Sequence, residues 1–506
     1  MKRISICLLI LVLFTMTVTA GMGAYMSGNG GKRADITLKD RLDREMPKVM
    51  KESGVPGVAI MVIDGDTSWT REYGYADKAG KKPVTEDTVF QVGSVSKSLA
   101  AWGVMKLVED GKIELDAPID RYLKRWHLPE SQYDSDGVTI RRLLSHTAGL
   151  SLHGYGGVEP DKELATLEES LSGKTGGAGD VRIVSEPGAQ FSYSGGGYTL
   201  LQLMIEEVSG KPFEKYMEDE ILKPLGMDES AFEWKEELRP EVSKAYGVLG
   251  QTMPNYLYTE KAAAGLYTTV KDLAKFAAAG MSMSGNEPAG MGVLKADTVN
   301  SMEQDVSKAE YGLGYEVFSL SNGKKIVGHS GANRGWRAQY YIVPESKQGM
   351  VVLTNSDMGQ NVLNRAGALW MEQQTGNFPD FYYSNLSSNT TLLNIALAIG
   401  LLLVVFLAVV LRGIALKKRT FEEWRKRKLF NKALRLLLPV ILLLAWWIGL
   451  YGPVAHGWNV AEFLPVTLKW VSMAVTLWCL ALLLAGVFPG VKVQKKSKKT
   501  EKALEA

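Results

Sequence analysis

Cysteine is nearly absent. The 506-residue chain has two, Cys7 and Cys479, and each lies inside an apolar run. The stretch between them can form no disulfide, and it supplies neither a thiolate metal site nor a cysteine nucleophile. Histidine is almost as scarce, with five residues. His127 and His153 stand in no H-E-x-x-H or similar spacing, so no metal is expected. Charge of either sign is nearly balanced, at a formal net +3, and no basic stripe interleaves with aromatics. Nucleic acid is therefore not an expected partner. A cofactor motif is missing too. Gly173-Lys-Thr175 spells part of a phosphate-binding loop, but Glu168 stands where that loop needs glycine and no strand precedes it. No cofactor is expected.

Long apolar runs, by contrast, are plentiful. Residues 1–24 combine Lys2-Arg3, an apolar run from Ile4 to Val18 and small residues at Val18-Thr-Ala20 or Met22-Gly-Ala24. That is the pattern of an export signal, either cleaved or kept as an anchor. Residues 392–411, 436–454 and 470–488 are each long and apolar enough to cross a bilayer core of about 30 Å. Pro439, Gly449 and Gly452 interrupt the second, which membrane helices tolerate. The connection after the first span carries Arg412, Lys417, Lys418, Arg419 and the run Arg425 to Lys428, whereas Ala455 to Thr467 has no Lys or Arg. Residues 489–506 are again basic. By the positive-inside rule the first connection and the tail are cytoplasmic, and everything between the export signal and Leu392 is extracytoplasmic. The expected protein is a multi-pass protein of the cell membrane. Its spans hold no charge pair or histidine cluster of the kind that lines a transport path, so the lipid bilayer is their expected partner.

Residues 36–378 form the expected exported domain, with 379–391 as a linker. Gly57 to Ile63, Asp64-Gly65 and Trp69 to Tyr75 read as a β-hairpin. Residues 95 to about 285 read as helices joined by glycine-rich loops. Strands return at Lys325–His329, Trp336–Val343 and Met350–Thr354, joined by turns short enough for antiparallel neighbours. Early and late strands are expected to share one sheet, with the middle helices as a separate lobe. The fold class is α+β: an antiparallel sheet flanked by helices, a helical lobe, and three C-terminal membrane helices.

One motif carries chemistry. Ser94-Val-Ser-Lys97 is followed by Leu99, Trp102, Val104, Met105 and Leu107 at helical spacing, and Asp110-Gly111 ends the run. Positions i and i+3 share a helix face, so the Lys97 amine can reach the Ser94 hydroxyl and activate it as a nucleophile. The competing reading is a serine cap beside a solvated lysine. A second S-x-x-K, Ser321 to Lys324, spans Asn322-Gly323 and reads as a hairpin turn. His146 falls in a helix-to-turn stretch and reads as a structural cap.

The order Ser94-Val-Ser-Lys97, Tyr193-Ser-Gly195, His329-Ser-Gly331 resembles the penicillin-recognising serine hydrolases, which include class C β-lactamases, D-alanyl-D-alanine carboxypeptidases, D-aminopeptidases and esterases. Leu143-Leu-Ser-His-Thr-Ala-Gly149, Pro224-Leu-Gly-Met227 and Gly328 to Gly335 resemble the class C-like branch. The resemblance implies an acyl-enzyme on Ser94, proton transfer by Lys97 and Tyr193, and substrate contacts from His329, Ser330 and Gly331. It also implies an oxyanion hole at the backbone N–H groups of Ser94 and Ala332. The implied partner is a small-molecule or peptidoglycan-derived substrate: a D-peptide, a β-lactam or an ester. Two departures stand out. Gly195 occupies a place where relatives often carry asparagine, and His329 one where most carry lysine; both favour an ester or an atypical peptide. A receptor that is acylated but does not hydrolyse is the alternative, and a scaffold without chemistry is a third. A Ser-His-Asp hydrolase would need parallel strands around His329-Ser330, a region that reads antiparallel.

Overall fold

The computed structural model describes residues 37–152, 154, 156–174, 179–235, 241–282, 288–456 and 467–491. The expected export signal, His153, Thr175 and the tail beyond residue 491 lie outside them. Two compact units divide the chain, one spanning Ile36–Tyr382 and the other including Tyr383–Ala506.

The first unit opens with helix α1, Leu38–Ser53. The Thr37 hydroxyl caps it by accepting from the Asp40 N–H, and Gly54, at φ 75°, ends it in the left-handed conformation. Leu42, Met46, Val49 and Met50 recur at helical spacing and are buried. Strands β1, Gly57–Asp64, and β2, Thr67–Asp77, form the expected hairpin, and the short β3, Lys82–Pro83, extends it. Helices α2, Ser96–Glu109, α3, Gly195–Ser209, and α4, Val270–Ala279, dominate the middle of the chain. Strands then return as β4, Glu316–Ser319, β5, Lys325–Asn333, β6, Trp336–Val343, and β7, Gln348–Thr354, and helix α5, Gln360–Thr375, follows. Ser321 to Lys324 is the β4–β5 turn, with Gly323 at φ 81° and its N–H donating to the Leu320 carbonyl.

All seven strands form one antiparallel sheet in the order β3-β2-β1-β7-β6-β5-β4. β1 and β7 lie side by side, with Val58 opposite Thr354. The central strands β1, β6 and β7 are buried along almost their whole length; β1 and β7 read as largely apolar runs, whereas β6 also buries Arg337 and Gln339. Helices α1 and α5 cover one face, where Leu42, Met46, Leu363 and Trp370 pack on Val58, Ile60 and Val352. The helical lobe packs on the other through Trp102, Phe276, Tyr340 and Leu353. Helix α2 runs through that core with nearly every side chain buried, as expected for a helix apolar on all sides.

In the second unit, α6 spans Asp380–Ala415, α7 Leu429–His456 and α8 Leu468–Val487. Each is long and apolar enough to cross a membrane. Helix α6 starts at Asp380, so the segment expected as a linker is helical. The Trp478 indole donates to the Ile399 carbonyl at 2.9 Å. Leu401, Val404, Ile441, Leu444 and Leu480 are exposed, an apolar surface of the kind a membrane helix turns to lipid.

Candidate active site

Ser94 sits in a single 3₁₀ turn, Gly93–Val95, that runs directly into α2. The Ser96 hydroxyl holds the turn by donating to the Gly93 carbonyl at 2.6 Å and accepting from the Leu266 N–H at 3.0 Å. Gly93 is at φ 52°, and a Cβ there would lie 2.6 Å from backbone atoms of Ala332. A Cβ on Gly331 would lie 1.9 Å from the Val92 carbonyl oxygen and 3.0 Å from the Ser94 nitrogen. These two glycines let the serine turn and strand β5 approach backbone to backbone. The approach brings the main chain of Ala332 beside that of Ser94.

One turn into the helix, Lys97 is fully buried. Its Nζ donates to Ser94 Oγ at 3.1 Å and to the Ala263 carbonyl at 2.9 Å. Burial pushes its pKa down to about 7, against an opposing pull from the Glu316 charge. The solvated-lysine reading is thereby excluded. A neutral amine at this distance from a hydroxyl can accept its proton.

Tyr193 precedes α3, and its loop is held by His146. The His146 carbonyl accepts from the Ser192 N–H at 2.8 Å, and its Nδ1 accepts from the Ser194 N–H at 3.1 Å. An accepting Nδ1 requires the neutral ring, and burial holds the His146 pKa well below the usual histidine value. The Ser194 hydroxyl then caps α3 by accepting from the Gly197 N–H. Lys97 Nζ lies 5.0 Å from the Tyr193 ring centroid and 5.6 Å from that of Tyr198. Tyr193 is 36% exposed, so it faces the open side of a cluster whose lysine is sealed.

His329 is buried, 1% exposed, and both ring nitrogens are engaged within the protein. Nδ1 contacts the Ser330 carbonyl, which can only accept, so Nδ1 carries the proton and Nε2 accepts from the Tyr311 hydroxyl at 2.8 Å. Burial also lowers its pKa. Where the resemblance implied a substrate contact, the structure has a neutral ring 6.4 Å from that of Tyr193 with both nitrogens taken up by protein groups. The next side chain, Ser330, is partly exposed and donates to Glu316 Oε1 at 2.7 Å.

The structure thus gathers Ser94, Lys97, Tyr193, His329, Ser330, Gly331 and Ala332 around one cleft. Sequence reasoning missed three of its members. His146 was read as a cap, whereas its ring packs against Tyr193. Tyr311 and Glu316 carry no local motif that could have found them. Asn333, fully buried, donates to the Ala264 carbonyl at 3.0 Å and to Gln91 Oε1 at 2.9 Å, fixing the turn that presents Ala263 to Lys97.

Comparison with known proteins places the fold in a family. PbpX of Bacillus subtilis (strain 168), provisionally named a penicillin-binding protein, is 31% identical over 253 residues, covering 48% of this chain and 60% of that one. Unguisins hydrolase ungD' of Aspergillus campestris is 26% identical over 351 residues, covering 65% of this chain and 64% of that one. The chain thus spans less than two thirds of the length of these relatives. The octameric penicillin-binding protein homologue from Pyrococcus abyssi superposes with a TM-score of 0.57 at 29% identity, covering 67% of this chain and 78% of that one. A beta-lactamase/D-alanine carboxypeptidase from Pseudomonas syringae, at 19% identity and a TM-score of 0.54, shares the fold. Residues 42–371, nearly the whole of the first compact unit, match the family model described as Beta-lactamase. With its sheet, its Ser94 turn and its helical lobe all inside that match, the chain belongs to the beta-lactamase family.

Proposed function

We propose that this chain is a membrane-anchored, extracytoplasmic serine hydrolase acting through an acyl-enzyme on Ser94. The observation that carries the reading is the 3.1 Å contact between Ser94 Oγ and the buried Lys97 amine. Lys97, neutral above about pH 7, takes the Oγ proton as Oγ bonds to the substrate carbonyl carbon. The backbone N–H groups of Ser94 and Ala332 receive the developing oxyanion. As the tetrahedral adduct collapses, the proton passes through Lys97 and the Tyr193 hydroxyl to the leaving group. Water then attacks the acyl carbon and Ser94 regains its proton. His329, its ring beside that of Tyr193, acts as a positioning residue, and the substrate meets Ser330 and the backbone of Gly331. A D-peptide, a β-lactam or an ester fits this chemistry. Three apolar helices with basic flanking segments support anchoring in a bacterial cell membrane with a cytoplasmic C-terminus.

The test is intact-mass analysis of the detergent-solubilised full chain with benzylpenicillin and with a D-alanyl thioester. Transient acylation mapping to Ser94, with product release, is the expected result, and Ser94→Ala should give neither. A persistent adduct without turnover would support the acylated receptor instead. Turnover by Ser94→Ala at the wild-type rate overturns the mechanism.

A further inference from the structure

Strand β4 stops pairing with β5 at Glu316, opposite Gly328. Beyond that point β5 runs on through Ser330, Gly331 and Ala332 beside the Ser94 turn. The Glu316 side chain reaches along this edge. Its Oε1 accepts from the Ser330 hydroxyl at 2.7 Å and from the Ser330 N–H at 3.3 Å, and its Oε2 accepts from the Tyr341 hydroxyl. His329 Nδ1 lies 3.6 Å away, on a neutral ring. Three donors converge on this one side chain. The side chain is 26% exposed at this open edge of β5. It also fills the backbone N–H of Ser330, which an incoming substrate could otherwise use. The cations nearest the nucleophile do not offset it: Lys97 is buried and must be neutral to act as base. Ser330 and Ala332 lie on the same side of β5. The next cation, Arg334, stands in the turn after the strand, its guanidinium 4.1 Å over the Tyr256 ring.

We propose that Glu316 sets the charge of the acyl donor. The cleft takes donors that are uncharged or carry an ammonium group beside the scissile carbonyl, and it turns away donors with a carboxylate there. This rests on the serine-hydrolase reading above. A carboxylate on the donor would meet the Glu316 charge within a few ångströms at a site partly shielded from water, where like charges repel strongly. A quaternary or primary ammonium would be attracted by the same charge and by the exposed Tyr193 ring.

The experiment uses the full chain in detergent and N-acetyl-D-alanyl thioesters of thioglycolate, methyl thioglycolate and thiocholine, with succinyl and methylsuccinyl thioesters varying charge on the acyl side. Thiol release gives kcat/KM for each, normalised to its hydroxide-catalysed rate. Wild type should prefer the neutral and cationic donors over their carboxylate counterparts by tenfold or more, about 1.4 kcal/mol. The Glu316→Gln variant should shrink that ratio at least fivefold, chiefly by raising kcat/KM for the carboxylate donors. Should that variant misfold, the wild-type ratio of thiocholine to thioglycolate donor serves instead, and it should fall as salt rises. A ratio that Glu316→Gln leaves unchanged, a ratio flat with salt, or a wild-type preference for carboxylates overturns the proposal. Ser94→Ala separates the two readings. If it still releases thiol, the acyl-enzyme fails; if it is inert while the ratio ignores Glu316, only the charge assignment fails.

Discussion

The imidazole of His146 lies 4.1 Å from the Tyr193 ring, inclined by 37°, while its Nδ1 accepts the N–H of the next residue, Ser194. One side chain therefore fixes both the ring and the adjoining backbone of Tyr193, the residue we propose to complete the proton path. His146→Phe keeps an aromatic surface but leaves the buried Ser194 N–H without its acceptor, at a cost of about 1–3 kcal/mol. The expected outcome is a fall in kcat of at least tenfold with KM little changed, read by steady-state kinetics on a neutral thioester.

Lys97 should dominate the pH profile. Its pKa is lowered from the ordinary lysine value to about 7, so the base form grows as pH rises through that point. Acylation should climb through an apparent pKa near 7 and then level off. Burial pushes both His146 and His329 downward, so neither supplies this limb. The nearby Glu316 charge raises the lysine pKa, and Glu316→Gln should move the limb to lower pH. A limb that stays in place when Glu316 is neutralised would assign it to another group.

Gly331 admits no side chain. A methyl there would lie 1.9 Å from the Val92 oxygen, so Gly331→Ala must push β5 away from the Ser94 turn. Overpacking of this kind costs roughly 1–3 kcal/mol. Intact-mass acylation should slow by a hundredfold or more, well beyond what the loss in thermal stability alone would explain.

Glu303 offers a test remote from the chemistry. Its side chain is 1% exposed, and burial raises its pKa to about 8, with Lys325 Nζ only 3.9 Å away. Between the unfolded value of 4.5 and about 8 the native state holds a proton that the unfolded state releases. Native stability therefore falls as pH rises through that window, by at most about 1.36 kcal/mol per unit. Glu303→Gln removes the penalty. Its stabilising effect in denaturant titrations should be near zero at pH 5, grow toward pH 8 and then flatten, reaching on the order of 1–4 kcal/mol.

Local patterns made much of this legible. The β1–β2 hairpin, β5 to β7 and the turn at Gly323 were readable because apolar runs end at turn residues, and Ser94–Lys97 because i,i+3 spacing is fixed by the helix. Helix α1 carries a capping threonine and a terminal glycine, but Pro47 inside it breaks the usual helix signal. Strand β4 was missed because it has four residues and half-exposed side chains. With it went Glu316, whose importance comes from an antiparallel partner rather than from its own neighbours. His329 was placed correctly in the chain, but whether its ring faced substrate or core depended on Tyr311, a contact no spacing rule supplies.

The position of β1 has a consequence for how the chain folds. It lies at the centre of the sheet, and the Gly57 N–H donates to Asn355 Oδ1 across a separation of 298 residues. During synthesis the first hairpin must wait for almost the entire unit before its neighbour β7 exists. Closing so long a loop is slow, and the unpaired apolar edge of β1 is open to wrong partners meanwhile. Folding then depends on the last strands arriving, and a truncation before Thr354 should leave an aggregating chain rather than a smaller domain.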